Sequence, residues 1–232
     1  MVRKLRLVVA GLFVLVGFLV VALTACGDDE GEGELTPAEV EDRLERMVLQ
    51  LEDLPSGVIQ AEDSFVTNEE SAAGSDDREG RLAMLQEWGR ILGYDVTYQA
   101  NPEVMSQVGL MLASSSASLY ASDEGASASF ADAVQTARTT DWAALFGGAT
   151  EVNQEELTRP ALADEMLWLR ITAKGEVGEQ AEEETLAQDF VLFRQGPARA
   201  SLMVAWVTGR ASSDLVDQLA EAQAQRLKDV LP

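Results

Sequence analysis

Four serines fall within five residues, at Ser114, Ser115, Ser116 and Ser118, and such a run of hydroxyls can supply a nucleophile or line a ligand groove. A serine nucleophile needs a base to take its proton. The chain contains no histidine, and these serines lie in no Gly-x-Ser-x-Gly turn, so Ser-His-Asp and Cys-His catalysis are excluded, as is a zinc site with a histidine ligand. The serines read instead as the narrow or solvent-facing part of a strand. Paired Asp or Glu can do general acid and base work without histidine, but the spacing of the 40 acidic residues singles out no pair. The adjacent carboxylates of Glu182, Glu183 and Glu184 cannot all point at one ion from a loop, so they read as solvated charge. No catalytic residue and no metal ligand is nominated.

One thiol remains, and its place is informative. Arg3, Lys4 and Arg6 open the chain, residues 7–23 carry no charge, and Cys26 follows directly after Leu23-Thr24-Ala25. A cationic start, an apolar segment and small residues make the secretory pattern. The four residues Leu23-Thr24-Ala25-Cys26 resemble the lipobox of bacterial lipoproteins. That resemblance implies cleavage between Ala25 and Cys26, with a covalent diacylglyceryl group on the Cys26 sulfur and an N-acyl lipid on its amino group, and no other cofactor is expected. At about 0.8 kcal/mol per buried methylene, two or three acyl chains hold a membrane far more tightly than one.

The expected organisation is thus a removed signal peptide at 1–25, the lipidated Cys26 with a flexible acidic tether at 26–35, and one globular domain at 36–232 on the extracytoplasmic side of the cell membrane. Without residues 1–25 the chain keeps 14 basic and all 40 acidic residues, a formal charge of −26. Lys174 and Lys228 are its only lysines. Binding phosphate backbones takes clustered Lys and Arg, so nucleic acid is excluded as a partner. The same charge keeps the body off anionic lipid headgroups.

Local patterns give the elements. Thr36, Pro37 and Glu39 form a capping box before Val40, Leu44, Met47, Val48 and Leu51, which predicts a helix as far as Leu54. The polar stretch 58–80 reads as a surface loop. Trp88, Leu92, Tyr94, Val96 and Tyr98 alternate with polar residues as a strand, with Arg90 the exception on the apolar side. After a turn at Asn101-Pro102, further strands are expected at 108–121, 150–157, 165–173, 189–195 and 198–208, with an acidic loop at 174–184. Asp123 caps a helix through Phe130 and Val134, and Ser212 to Asp214 open a last one through Leu215, Leu219 and Leu227.

Hairpins outnumber crossovers in this order, which predicts an α+β fold with a mainly antiparallel sheet of five or six strands and helices on one or both faces. The turn from Leu54 to Gly57, the small-residue strand, the Ala/Phe helix and the closing hairpin with its helix resemble small extracytoplasmic lipoproteins and sensor-like domains of high-GC bacteria, some with the PsbP/Mog1-type fold. The leading expectation is a non-enzymatic lipoprotein whose domain binds a small apolar ligand or an envelope protein. Tyr94, Tyr98, Trp168 and Trp206 are the ligand-binding candidates, with Trp88 and Trp142 as further aromatics. A carboxylate-based cell-wall hydrolase and a transporter-associated substrate-binding lipoprotein are the alternatives.

Overall fold

The computed structural model describes residues 35–145, 150–177, 182–210 and 213–231. Ala25, Cys26 and all of the tether except Leu35 lie outside the described residues. Leu35–Pro232 forms one compact unit.

Helix α1 (Pro37–Met47) starts on the expected capping box, with Glu39 N donating to Thr36 Oγ1 at 3.3 Å and Thr36 N to Glu39 Oε2 at 2.8 Å. It ends seven residues before the expected Leu54. Two tertiary hydrogen bonds stop it: Leu49 N donates to Ser115 Oγ at 3.0 Å, and Tyr98 Oη donates to Leu49 O at 2.7 Å. Both backbone groups of Leu49 are therefore used by the sheet, and the helical ladder cannot continue through them. A single 3₁₀ turn at Leu51–Asp53 follows.

The stretch 58–80, expected as a loop, holds strand β1 (Val58–Val66), helix α2 (Asn68–Ala73) and the start of helix α3 (Arg78–Glu87). Strand β1 is an edge whose residues are mostly exposed, so selection leaves no apolar period to read. Helix α2 has its own capping box, Thr67 with Glu70, and Asp77 caps α3 through Gly80 N. Trp88 closes α3, which moves the start of β2 to Arg90 (Arg90–Ala100).

Asn101 is a cap as well as a turn residue: its Oδ1 accepts from Val104 N at 2.8 Å, and Pro102 occupies the first position of α4 (Pro102–Val108). Gly109, left-handed at φ 77°, ends α4, so β3 runs over Leu110–Tyr120 and not from residue 108. Helix α5 (Asp123–Thr139) is capped by Ser122, one residue before the expected Asp123. The short α6 (Trp142–Leu145) and β4 (Thr150–Glu156) follow. Strands β5 (Glu165–Val177) and β6 (Glu182–Gln195) stay paired from Glu165↔Arg194 to Val177↔Glu182, which consumes most of the expected acidic loop. Strand β7 (Ala198–Val207) and helix α7 (Ser213–Val230) complete the chain.

All seven strands pair antiparallel in one sheet, in the order β1-β2-β3-β7-β6-β5-β4. The fold is α+β as expected, with β1 as the strand beyond the expected count. Helices cover both faces. On one, α1 and α7 bury Val40, Leu44, Met47, Val216, Leu219 and Leu227 against Val96, Tyr98, Trp168 and Leu202. On the other, α5 and α6 pack Phe130, Val134 and Trp142 against Leu167, Leu169, Ile171 and Leu192. Each such side chain removed from water contributes about 1.5–3 kcal/mol.

Candidate functional site

The second face is only partly covered. Helix α5 crosses β6, β7 and β3, α2 and α3 lie against β2, and Arg81 of α3 is tied to Asp132 of α5 at 2.7 Å. Over β2, β3, β7 and β6, where no helix residue lines it, the sheet lies open in a trough of about 290 Å³. Asp95 and Thr97 of β2, Ser114 and Ser116 of β3, Ser201 and Met203 of β7, and Phe190 of β6 line it.

Strand register puts these residues in rows. Asp95 faces Ser116, which faces Ser201; Thr97 faces Ser114, which faces Met203. Neighbouring strands stand about 4.8 Å apart and same-face residues about 7 Å apart along a strand, so each row presents a line of side chains across three strands. Thr97 and Ser114 share a hydrogen bond of 2.9 Å, and Ser116 and Ser201 one of 2.7 Å. A shared bond uses one hydroxyl proton, leaving each pair with a second donor and lone pairs for a ligand. From the opposite face Gln223 of α7 donates to the backbone carbonyls of Ser116 and Ser201 at 3.1 and 3.3 Å, which fixes the trough floor.

The serine run divides by strand alternation. Ser115 points to the α1 side and binds Leu49 N, while Ser114, Ser116 and Ser118 point to the trough side. Asp95 is exposed to the trough, yet protein packed around it raises its carboxyl pKa by desolvation, a shift that the nearby Arg90 and Arg199 oppose. It is the one carboxylate among the trough-lining residues. Glycosidase chemistry takes two, flanking the scissile bond. Among the described residues no group of three or more His, Cys, Asp or Glu could hold a metal ion.

Other hollows offer less. A notch of about 410 Å³ between α1 and α7 is walled by Glu39, Asp42, Arg43, Arg46 and Asp229, the solvated flanks of two helices.

The four nominated aromatics all sit on the α1/α7 face, away from the trough. Tyr98 is 2% exposed, its hydroxyl is committed to Leu49 O, and burial pushes its pKa up to about 12. Tyr94 donates to Asp63 Oδ2 at 2.9 Å, and burial and that bond raise its pKa. Trp168 and Trp206 are buried and both donate to Asp189. Of the further aromatics, Trp88 lies under the Arg81 guanidinium and Trp142 packs tilted against Phe190, with ring centroids 4.8 Å apart.

The fold is similar to that of the extracellular domain of PknH from Mycobacterium tuberculosis. The match has a TM-score of 0.51 and 9% sequence identity, and it covers 86% of this chain and 98% of that one. At that identity the likeness is one of fold. No protein-family model matches the chain, and no curated protein does.

Asp95, Thr97, Ser201 and Met203 belong to no sequence motif. The one available signal was the polar side of β2, where Gly93, Asp95 and Thr97 alternate with buried Tyr94, Val96 and Tyr98. A polar strand face carries the same pattern whether it meets bulk water or a trough, and the other lining residues come from β3, β6 and β7, elsewhere in the chain.

Proposed function

We propose that this chain is a membrane-anchored extracytoplasmic domain that binds a small hydroxyl-bearing ligand in the trough over β2, β3 and β7. The observation that carries the proposal is the double row of hydroxyls, Thr97 with Ser114 and Ser116 with Ser201, set beside Asp95 and left uncovered by helix. Met203 and Phe190 add an apolar bank. A sugar or polyol, with a hydroxyl rim and an apolar C–H face, matches that lining better than the small apolar ligand that was one of the two expectations from the sequence. The lipobox-like residues before Cys26 and the fold likeness to an extracellular domain support the extracytoplasmic location.

Native mass spectrometry of the full chain, purified gently from a bacterial envelope, tests the binding. The expected result is a reproducible extra mass that disappears in Ser116→Phe, whose ring fills the trough. A bare protein, or a ligand retained by that variant, sinks the reading. The anchor has its own test: Cys26→Ala should lose the acyl mass, and an unchanged membrane-bound mass would refute it.

A further inference from the structure

Beside the trough, one row further along the same sheet face, stand two arginines that no carboxylate of a described residue contacts. Arg90 is 7% exposed. Its Nε donates to Ser118 Oγ at 3.2 Å, and its Nη1 donates to Val66 O and Asn68 Oδ1, both at 3.0 Å. Arg199 Nη1 donates to Ser129 Oγ at 3.0 Å and Ser129 O at 3.4 Å. Every one of these partners is neutral, and among the described residues neither arginine has a carboxylate within ion-pair distance. Nη2 of Arg90, and Nε and Nη2 of Arg199, make no hydrogen bond to a described residue.

Most other arginines among the described residues are ion-paired, with Arg43 and Arg78 the further exceptions. Arg81, Arg138, Arg159, Arg170, Arg194 and Arg226 each sit on an Asp or Glu, as a chain with 40 acidic and 17 basic residues readily allows. A buried cation without an ion-pair partner, as Arg90 is, is costly, and the half-buried Arg199 close by adds to the cost. Arg90 feels both effects: burial lowers its pKa, and the neighbouring charges of Arg199 and Arg81 add to that, against Tyr120 and Asp95. It stays protonated even so, as guanidinium does in proteins.

Position joins the pair to the trough. In register, Gly93 faces Ser118, which faces Arg199, one step along from Asp95, Ser116 and Ser201. A Cβ at Gly93 would overlap Arg90 Nη2, so the missing side chain leaves the space that this guanidinium fills. The sheet face thus carries a cationic row, then an acid and two hydroxyls, then two hydroxyls and a thioether.

We propose that Arg90 and Arg199, with the Ser118 hydroxyl, form an oxyanion subsite at the end of the trough, so that the ligand is a polyol bearing a phosphate or carboxylate group. The inference rests on the trough being the ligand site. Guanidinium N–H groups match oxyanions in geometry and charge, and a bound anion supplies a second negative charge, in contact with the pair, beside the more distant Asp95. Asp95, about 7 Å further along β2, accepts from hydroxyls of the ligand body.

The test is thermal denaturation of the full chain in detergent, titrated at constant ionic strength with sodium phosphate, glucose 6-phosphate, glucose and dihexanoyl phosphatidylinositol. Phosphate and glucose 6-phosphate should raise Tm saturably above a sodium chloride control, with glucose weaker. Arg199→Met should weaken glucose 6-phosphate binding at least about tenfold, the worth of a hydrogen bond to a charged group. Arg199→Lys, which keeps the charge and loses the fork, should fall between, and Arg138→Met, the same charge change elsewhere, should do nothing. Tighter binding of the lipid than of the sugar phosphate assigns the subsite to a headgroup; the reverse assigns it to a free ligand. No phosphate effect beyond the salt control, or full binding by Arg199→Met, overturns the subsite. Glucose binding without a phosphate effect would leave the trough reading standing, whereas no binding by any probe together with a bare native mass would remove both.

Discussion

Trp168 and Trp206 donate their indole N–H groups to opposite oxygens of one carboxylate, at 2.9 Å to Asp189 Oδ1 and 2.7 Å to Asp189 Oδ2. The carboxylate is fully buried on β6 between their strands, and Arg170 adds two bonds of 2.9 and 3.1 Å while lying over the Trp206 ring. One anion therefore holds three strands through four charge-assisted donors.

Removing it should be expensive. Asp189→Ala leaves Arg170 without its partner and two indole donors unsatisfied in the core, so the loss should be about 3–5 kcal/mol. Urea denaturation followed by tryptophan fluorescence measures it. A loss under about 1 kcal/mol would mean that water replaces the carboxylate and the cluster is not structural.

Gly125 offers a substitution whose sign is informative. In an exposed helix, Gly→Ala stabilises by about 1 kcal/mol. Gly125 lies in the first turn of α5, where a Cβ would overlap the backbone oxygen of Trp88. Gly125→Ala should therefore destabilise, by about 1–3 kcal/mol as α5 is pushed off the α3 end of the sheet. A raised Tm in a thermal melt would contradict this packing.

What could be read from the sequence were the elements whose own residues carry the pattern. Thr36-x-x-Glu39 fixed the start of α1, and the alternation through Tyr94, Val96 and Tyr98 gave β2, because each signal is local. The end of α1 depended on Ser115 and Tyr98, which lie far along the chain. Strand β1 escaped because its residues from Ile59 to Ser64 are all exposed and keep no apolar period. Thr67-x-x-Glu70 was visible as a capping box but followed too polar a stretch to suggest a helix. The trough was half legible: the serine run of β3 stood out, while Ser201 and Asp95 join it only through strand pairing. Arg90, the exception in the apolar alternation of β2, marked the cationic row without saying so.

The Tyr98 clasp should show in alkali. Its folded pKa of about 12 stands above the ordinary 10.0, so its contribution is fully present below pH 10. As pH rises from there towards about 12, the unfolded phenol ionises first and that stability is lost. Tyr98→Phe, which loses one buried hydrogen bond, should be about 1 kcal/mol less stable than wild type at pH 8, with the difference shrinking as pH rises. Parallel urea curves at pH 8 and pH 11 with an unchanged gap would refute the assignment.

Asp95 tests whether the trough is maintained for binding at the expense of stability. Its carboxyl pKa is raised chiefly by desolvation, so below the ordinary 3.8 both states are neutral and the residue costs nothing. Above that value the unfolded chain ionises more readily than the folded one, and stability falls as pH rises through the folded pKa. Asp95→Asn should therefore raise Tm at pH 7, with the gain disappearing below pH 3.8. Folding alone thus favours asparagine there. If the carboxylate is kept to accept hydroxyls of a ligand, the same variant should bind glucose 6-phosphate more weakly despite being the more stable protein, the opposition expected of a binding residue. A variant more stable and equally tight would place Asp95 outside the site.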